Sequence, residues 1–403
     1  MINFSIPYGR QHISDEDINA VVSVLKSDYL TQGPAIPQFE EAFAKYIGVK
    51  HAVAVANGTA ALHLAAMALD VKQGQKVVTT PNTFAASANC IRYCGGEVLF
   101  ADIDKNSFLI DLNKIEDLFK KHKNIVGVVP VDFAGYPVNL EELSTLCNKY
   151  NAWILEDACH APGGYFTDSR QQKQLCGNGQ YADMAIFSFH PVKHIATGEG
   201  GMITTNNTEL YNKLILYRTH GITKNTTLFQ NTRKMAVGLS LNFEIEANTN
   251  EWPGWYYEMT ELGYNYRLTD MQAALGTSQL IRADEGLIRR NQIAQRYNEA
   301  LKDLNIVLPQ VDANYYHAYH LYVIQTNKRL ALYNYLKENK IFAQVHYEPV
   351  HLQPYYQSLG WKPGDCPVAE QYYSRCLSLP MYPTLSEEQQ EYVIETIKTF
   401  YKK

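Results

Sequence analysis

The 403-residue chain has no unbroken run of eighteen apolar residues, so it carries no stretch that reads as a membrane-spanning helix. Its N-terminal MINFSIPYGRQ has neither the basic flank nor the apolar block of a secretory leader, and the sequence reads as cytoplasmic, with no membrane partner. Positive charge is not in excess. Lys and Arg number 36 against 41 Asp and Glu, a formal charge of -5, so phosphate-driven attraction to nucleic acid has no global support. Cysteine is sparse: seven, an odd number, with no CxxC pair. Cys90 and Cys94 lie four apart with nothing nearby to complete a zinc set, so buried free thiols in a reducing compartment are expected. Internal repeats and low-complexity linkers are also lacking. What is present, 46% hydrophobic and 19% charged residues, suits a globular enzyme long enough for two domains.

Short apolar runs alternate with helical patterns. HAVAVAN (51–57), QKVVTTP, EVLFADID, NIVGVVPVD, NAWILED, DMAIFSF and GMITTN read as strands, and GTAALHLAAMALD, FAASANCIRYC and LEELSTLCNKY as helices among them. Ser14 and Asp17 have capping-box spacing at the start of SDEDINAVVSVLKSD. The pattern predicts an α/β fold with a mixed, mostly parallel sheet covered on both faces. A helical stretch over 267–304 reads as the spine joining a large domain, 1–285, to a smaller α+β C-terminal domain, 286–403. Residues 240–258, aromatic and acidic, read as a surface loop.

Ligands of open α/β sheets gather at the C-terminal ends of strands, and four such ends carry chemistry. Asn57-Gly58-Thr59 lies between a strand and a helix; it is either an anion site made by amides and helix dipole or a plain capped turn. Asp157 ends an apolar strand, where a carboxylate needs a cationic partner: a protonated pyridine nitrogen, or a core ion pair. In FSFHPVKHIATGEGG, Lys193 is either a nucleophile and base, made available by a pKa lowered on burial, or a snorkelling surface lysine. Ser188 precedes it by five residues and has a hydroxyl for a phosphate. Phe84, in TPNTFAASAN, either stacks on a flat ring or fills a core. Together these are the groups that pyridoxal phosphate demands.

NGTAAL, TPNTFAASAN, EDACHAPGG, FSFHPVKHIATGEGGMI, RTHGI, LGYNYRLTDMQAALG and FAQVHYEPVH, in that order, resemble the DegT family of sugar-nucleotide aminotransferases, from about residue 5 to the C-terminus. LTQGP and AQVHYEPV look most like its pseudaminic-acid branch. The resemblance implies a fold-type-I enzyme that uses pyridoxal 5′-phosphate and works as a homodimer with shared active sites. It implies that Lys193 holds the cofactor, Asp157 pairs with the ring nitrogen, His160 sits beside the ring and Phe84 stacks on it. Gly58, Thr59, Ala60 and Ser188 would bind the phosphate, with Asn265 reaching it from the partner subunit. The implied reaction moves the amino group of L-glutamate to C4 of a UDP-linked 4-keto-6-deoxy sugar.

Thr31, Gln32, His320, Tyr322, His346 and Tyr347 are candidates for sugar or nucleotide contacts; loop and small-domain packing is the alternative for each. The histidines at 317, 320, 346 and 351 have no zinc spacing, and no metal is expected. GNGQYA (177–182) superficially fits a dinucleotide fingerprint but precedes a strand, the reverse of the required order. The remaining alternatives are a TDP-linked 4-keto or 3-keto sugar substrate, a sugar dehydratase, whose family form lacks the lysine, and a non-catalytic sugar-binding protein on the same fold.

Overall fold

A computed structural model describes residues 5–236 and 252–402 of the chain. Seven short strands form one sheet: β1 (His51–Val55), β2 (Lys76–Thr79), β3 (Glu97–Phe100), β4 (Ile125–Val129), β5 (Trp153–Asp157), β6 (Met184–Ser188) and β7 (Gly201–Thr205). Their order is β1-β7-β6-β5-β4-β2-β3. Strands β3 through β6 in that row run parallel, and β7 is antiparallel to both β1 and β6. The strands read as unbroken apolar runs because both faces are covered: β6 places Met184, Ala185, Ile186 and Phe187 all out of contact with water.

The helix Gly58–Ala68 packs under β7 and β6 with nine of its eleven residues buried, Leu62, His63 and Leu64 filling space between close-packed alanines. The helix Ala35–Ile47 ends at Gly48, which takes the left-handed conformation (φ 78°) that a helix stop favours in glycine. Ser14 and Asp17 form the anticipated capping box at Asp15–Leu25. The helical stretch over 267–304 is two helices, Asp270–Ile281 and Ala283–Leu301, broken at Arg282, whose guanidinium reaches back to Asp17 and to the His12 carbonyl.

C-terminal to these, Tyr322–Gln325 and Cys376–Leu379 pair antiparallel, flanked by helices Arg329–Glu338 and Glu387–Lys402. Their cluster holds Ile293, Tyr297, Tyr322, Ile324, Leu377 and Ile397, and takes in Ile6 from the N-terminal arm. The arm arrives there by pairing Ile6–Pro7 in parallel with Ile341–Phe342. Residues between 350 and 376 pack the other way, adding Val350, Tyr356 and Tyr372 to the core of the central sheet.

All seven cysteines are free. GNGQYA forms the turn from the strand Lys173–Leu175 into β6, with Gly177 and Gly179 at positive φ and no helix following. Of the segment 240–258, residues 240–251 lie outside the described residues. The rest departs from a plain loop: Trp252 and Tyr256 stack with rings 5.3 Å apart, and Glu258 is a strand residue opposite Thr223. Among the described residues no helix is long and apolar enough to cross a membrane.

Candidate active site

Asn57 leaves β1 in extended conformation (φ -170°, ψ 172°) and caps the following helix, its Oδ1 accepting the Ala60 N–H at 2.8 Å. In this structure the cap side chain holds the Ala60 amide, and Ala60 is not among the residues that line the cavity described below. Gly58 and Thr59 supply the first two amides, which a helix leaves without intrahelical acceptors and which sit at its positive dipole end. Ser188 closes this cradle from β6. A Cβ on Gly58 would lie 3.0 Å from the Ser188 Cβ and 3.3 Å from its Oγ, so the missing side chain is what lets the two approach. Gly201, last of the GEGG glycines, is similarly constrained: a Cβ there would meet the Asn57 carbonyl oxygen at 2.5 Å.

Asp157 ends β5 and is 5% exposed. Its Oδ2 accepts the Ser87 hydroxyl at 2.7 Å and its Oδ1 accepts the Cys159 N–H at 3.2 Å. Ser87 lies in turn 2.8 Å from the Thr83 hydroxyl. The carboxylate is thus oriented by the helix Ala86–Tyr93 and by its own following turn, with lone pairs left for a further donor.

Lys193 follows β6 in a loop that closes on itself, the Phe189 N–H donating to the Gly200 carbonyl and the Thr197 N–H to that of Phe189. Phe189 and Ile195, fully buried, anchor the loop on either side of the lysine. Burial lowers the Lys193 ammonium pKa from its ordinary value, while nearby Cys159 and Asp157 pull it back up. The histidines facing it are also held neutral: burial, then the Lys193 charge, lowers His160, and brings His346 down to about 3. His160 accepts the Ala134 N–H on Nδ1 (3.2 Å), so its proton resides on Nε2, 3.5 Å from the Tyr347 hydroxyl.

One cavity of about 450 Å³ brings these groups together. Of the residues expected from sequence, Gly58, Thr59, Phe84, Asp157, His160, Ser188, Lys193, His320, His346 and Tyr347 line it. Phe84 is 62% exposed, its ring 6.3 Å from that of Tyr347. His320 is buried with an Nδ1 that has no partner among the described residues. The set fits a flat, nitrogen-bearing ring with a phosphate: free amides and a hydroxyl at one end, a braced carboxylate, an exposed aromatic face and a primary amine.

Besides Ala60, four expected residues are not brought there. Thr31 and Gln32 are exposed, Thr31 bridging to Thr269. Asn265 is exposed and bridges to Thr219 through its backbone. Tyr322 is fully buried in the C-terminal cluster, its hydroxyl donating to Asn298 at 2.7 Å; it occupies the buried phase of a strand, so packing accounts for it. Conversely, Tyr8, Ser87 and Cys159 line the cavity without having been singled out. Ser87 had a signal, four residues after Thr83 in a helical pattern; Tyr8 had none.

Behind β5 lies a second unanticipated group. Asp132, Glu156 and Cys176 are buried with their ligand atoms within 4.8 Å of one another, the one group among the described residues with metal-site spacing. Asp132 Oδ1 accepts the Val138 N–H at 2.8 Å and Glu156 Oε2 the Gly177 N–H at 2.9 Å. Burial raises both carboxyls, Asp132 to about 6, which fits a pair that shares a proton.

A model of the DegT/DnrJ/EryC1/StrS aminotransferase family matches residues 11–398. The chain is 37% identical over 412 residues to the spore coat polysaccharide biosynthesis protein SpsC of Bacillus subtilis, covering 99% of this chain and 98% of that protein. It is 35% identical over 408 residues to a UDP-4-amino-4,6-dideoxy-N-acetyl-beta-L-altrosamine transaminase of Campylobacter jejuni, covering 99% and 98%. Helicobacter pylori PseC, an aminotransferase involved in the biosynthesis of pseudoaminic acid, shares the fold at TM-score 0.85 and 29% identity over 99% of this chain and 100% of that one. Streptococcus pneumoniae Spr1654 in its PLP form gives 0.86 at 26% over 99% of each chain, and it is also known in a PMP form.

Proposed function

The chain belongs to the DegT/DnrJ/EryC1/StrS aminotransferase family, and from that premise we propose that it transfers the amino group of L-glutamate to C4 of a UDP-linked 2-acetamido-2,6-dideoxy-4-keto-hexose. Its cofactor is pyridoxal 5′-phosphate. The observation that carries the reading is the meeting of Lys193, Asp157 and the Gly58–Thr59 amides in one cavity. The UDP sugar and the pseudaminic-acid setting are supported by the Campylobacter and Helicobacter relatives. Seven free thiols support a reducing, cytoplasmic setting. We read residues 1–285 and 286–403 as its two domains.

When bound, the cofactor supplies an electron sink that lets the donor lose its Cα proton. Gly58, Thr59 and Ser188 take the phosphate, and Phe84 covers a ring face. Asp157 keeps the ring nitrogen protonated, and Ser87 and the Cys159 amide keep Asp157 aimed. Lys193, its pKa lowered by burial, would take up the proton from the donor Cα and hold it for return. His160 lies beside the ring; His320, His346 and Tyr347 face the sugar. Asn265, exposed and away from its own chain's cavity, reaches the phosphate of a second copy in a homodimer. Alternation of donor and acceptor in one site gives ping-pong kinetics.

The test is the absorption of the cofactor-loaded protein before and after L-glutamate, with Lys193→Ala alongside, followed by UDP- and TDP-keto-sugars as acceptors. Conversion of the cofactor to its amine form by wild type alone, and turnover of UDP-keto-sugar, are expected. A wild-type spectrum that ignores glutamate overturns the donor, and turnover of TDP-sugars only overturns the nucleotide.

A further inference from the structure

A second cavity, of about 210 Å³, shares Lys193 with the first as a lining residue. Its walls carry Arg10 and His12 from the N-terminal arm and Arg282, Arg289 and Arg290 around the start of the helix Ala283–Leu301; Glu285 is its one carboxylate. Arg282 has its counter-ion, Asp17. Arg10, Arg289 and Arg290 have no carboxylate partner among the described residues. Arg289 donates to the Leu385 carbonyl at 3.0 Å.

Arg290 is 1% exposed, a charge that is costly to bury without a counter-ion. Its Nη1 donates to the carbonyls of Tyr319 (3.1 Å), His320 (3.4 Å) and Met381 (3.1 Å), and its Nε is buried with no partner among the described residues. A purely structural clamp on those carbonyls explains Arg290 alone. It does not explain why two more unpaired guanidiniums share its cavity, when Arg282 on the same wall is paired. Guanidinium forks without carboxylates are suited to a planar or tetrahedral oxyanion.

We propose that this cavity is an oxyanion site for a reactant, holding either the distal carboxylate of the amino donor or a phosphate of the nucleotide while the reacting end lies at Lys193. The inference deepens the aminotransferase reading and rests on it. Its test uses the cofactor-loaded protein and the variants Arg10→Ala and Arg289→Gln, which spare the buried Arg290. Glutamate affinity is read from the spectral half-reaction, with L-alanine, which lacks the distal acid, as control. Binding of 2-oxoglutarate and of UDP is read by calorimetry, which needs no turnover.

A loss on the order of tenfold in glutamate and 2-oxoglutarate affinity, with alanine and the saturating rate unchanged, assigns the site to the donor. The same loss for UDP alone assigns it to the nucleotide. Affinities within about twofold of wild type for all ligands in both variants overturn the proposal. A wild type that ignores glutamate sinks the donor half of the functional reading, while the calorimetric arms still decide whether the oxyanion site exists.

Discussion

The Ser87 hydroxyl donates to Asp157 Oδ2 at 2.7 Å, joining the helix Ala86–Tyr93 to the end of β5 across seventy residues of sequence. A hydrogen bond to a buried charged group contributes about 1.5–3 kcal/mol. Ser87→Ala should therefore lower kcat/KM by roughly ten- to a hundredfold, since about 1.4 kcal/mol is a factor of ten. Thr83→Val should cost less, because Thr83 is bonded to Ser87. Equal effects in steady-state assays would contradict this order.

Gly58→Ala separates cofactor binding from folding. Alanine is the better helix former by about 1 kcal/mol, yet its Cβ would press on Ser188 at 3.0 Å. The cofactor-free protein should melt no lower than wild type while the loaded protein releases cofactor more readily on dialysis. Parallel loss of both would mean that the glycine serves the helix rather than the cradle.

Acid should loosen the join between Asp15–Leu25 and Asp270–Ile281. Burial alone would raise the Asp17 carboxyl, but hydrogen bonds from Arg282 and Ser14 outweigh it and hold the pKa at about 2, below its ordinary 3.8. A depressed acid stabilises the fold above its unfolded pKa and loses that contribution as pH falls. Denaturant melts should show wild-type stability falling between about pH 4 and 2, and a flatter fall for Asp17→Asn.

The buried pair behind β5 has the opposite sign. The Asp132 pKa is raised to about 6, so its cost to the fold grows as pH rises from near 3.8 to 6. In Asp132→Asn, Oδ1 keeps the Val138 N–H and the amide can donate to Glu156 Oε1, which lacks a partner among the described residues. The variant should equal or exceed wild type in stability at pH 8, with the gain shrinking toward pH 5. A pH-independent difference in melting temperature would argue against the shared proton.

The alternation of apolar runs and helical patterns was enough to locate Asn57-Gly58-Thr59, Asp157 and Ser188 at strand ends, and each strand agrees with its run to within a few residues. The hold on Ala60 was not legible, because an asparagine before a helix is both a turn former and a cap, and only the folded backbone shows its oxygen on the Ala60 amide. Tyr322 was legible in principle: Tyr322 and Ile324 share the buried phase of a four-residue strand whose other residues are half-buried. A tyrosine beside a histidine-rich run reads as a contact only if that alternation is ignored.

By itself the sequence determined where each strand lies, its apolar faces and the chemistry at its end, because these depend on neighbours a few residues away. Only the tertiary structure decided what closes the site. Tyr8 and His346–Tyr347 line the cavity because the arm pairs with Ile341–Phe342. Asp17 meets Arg282, and Arg10 shares a cavity with Arg289 and Arg290, across more than 260 residues. Whether a charge is paired, buried or left facing a cavity depends on which distant segments pack around it, and no local pattern carries that information.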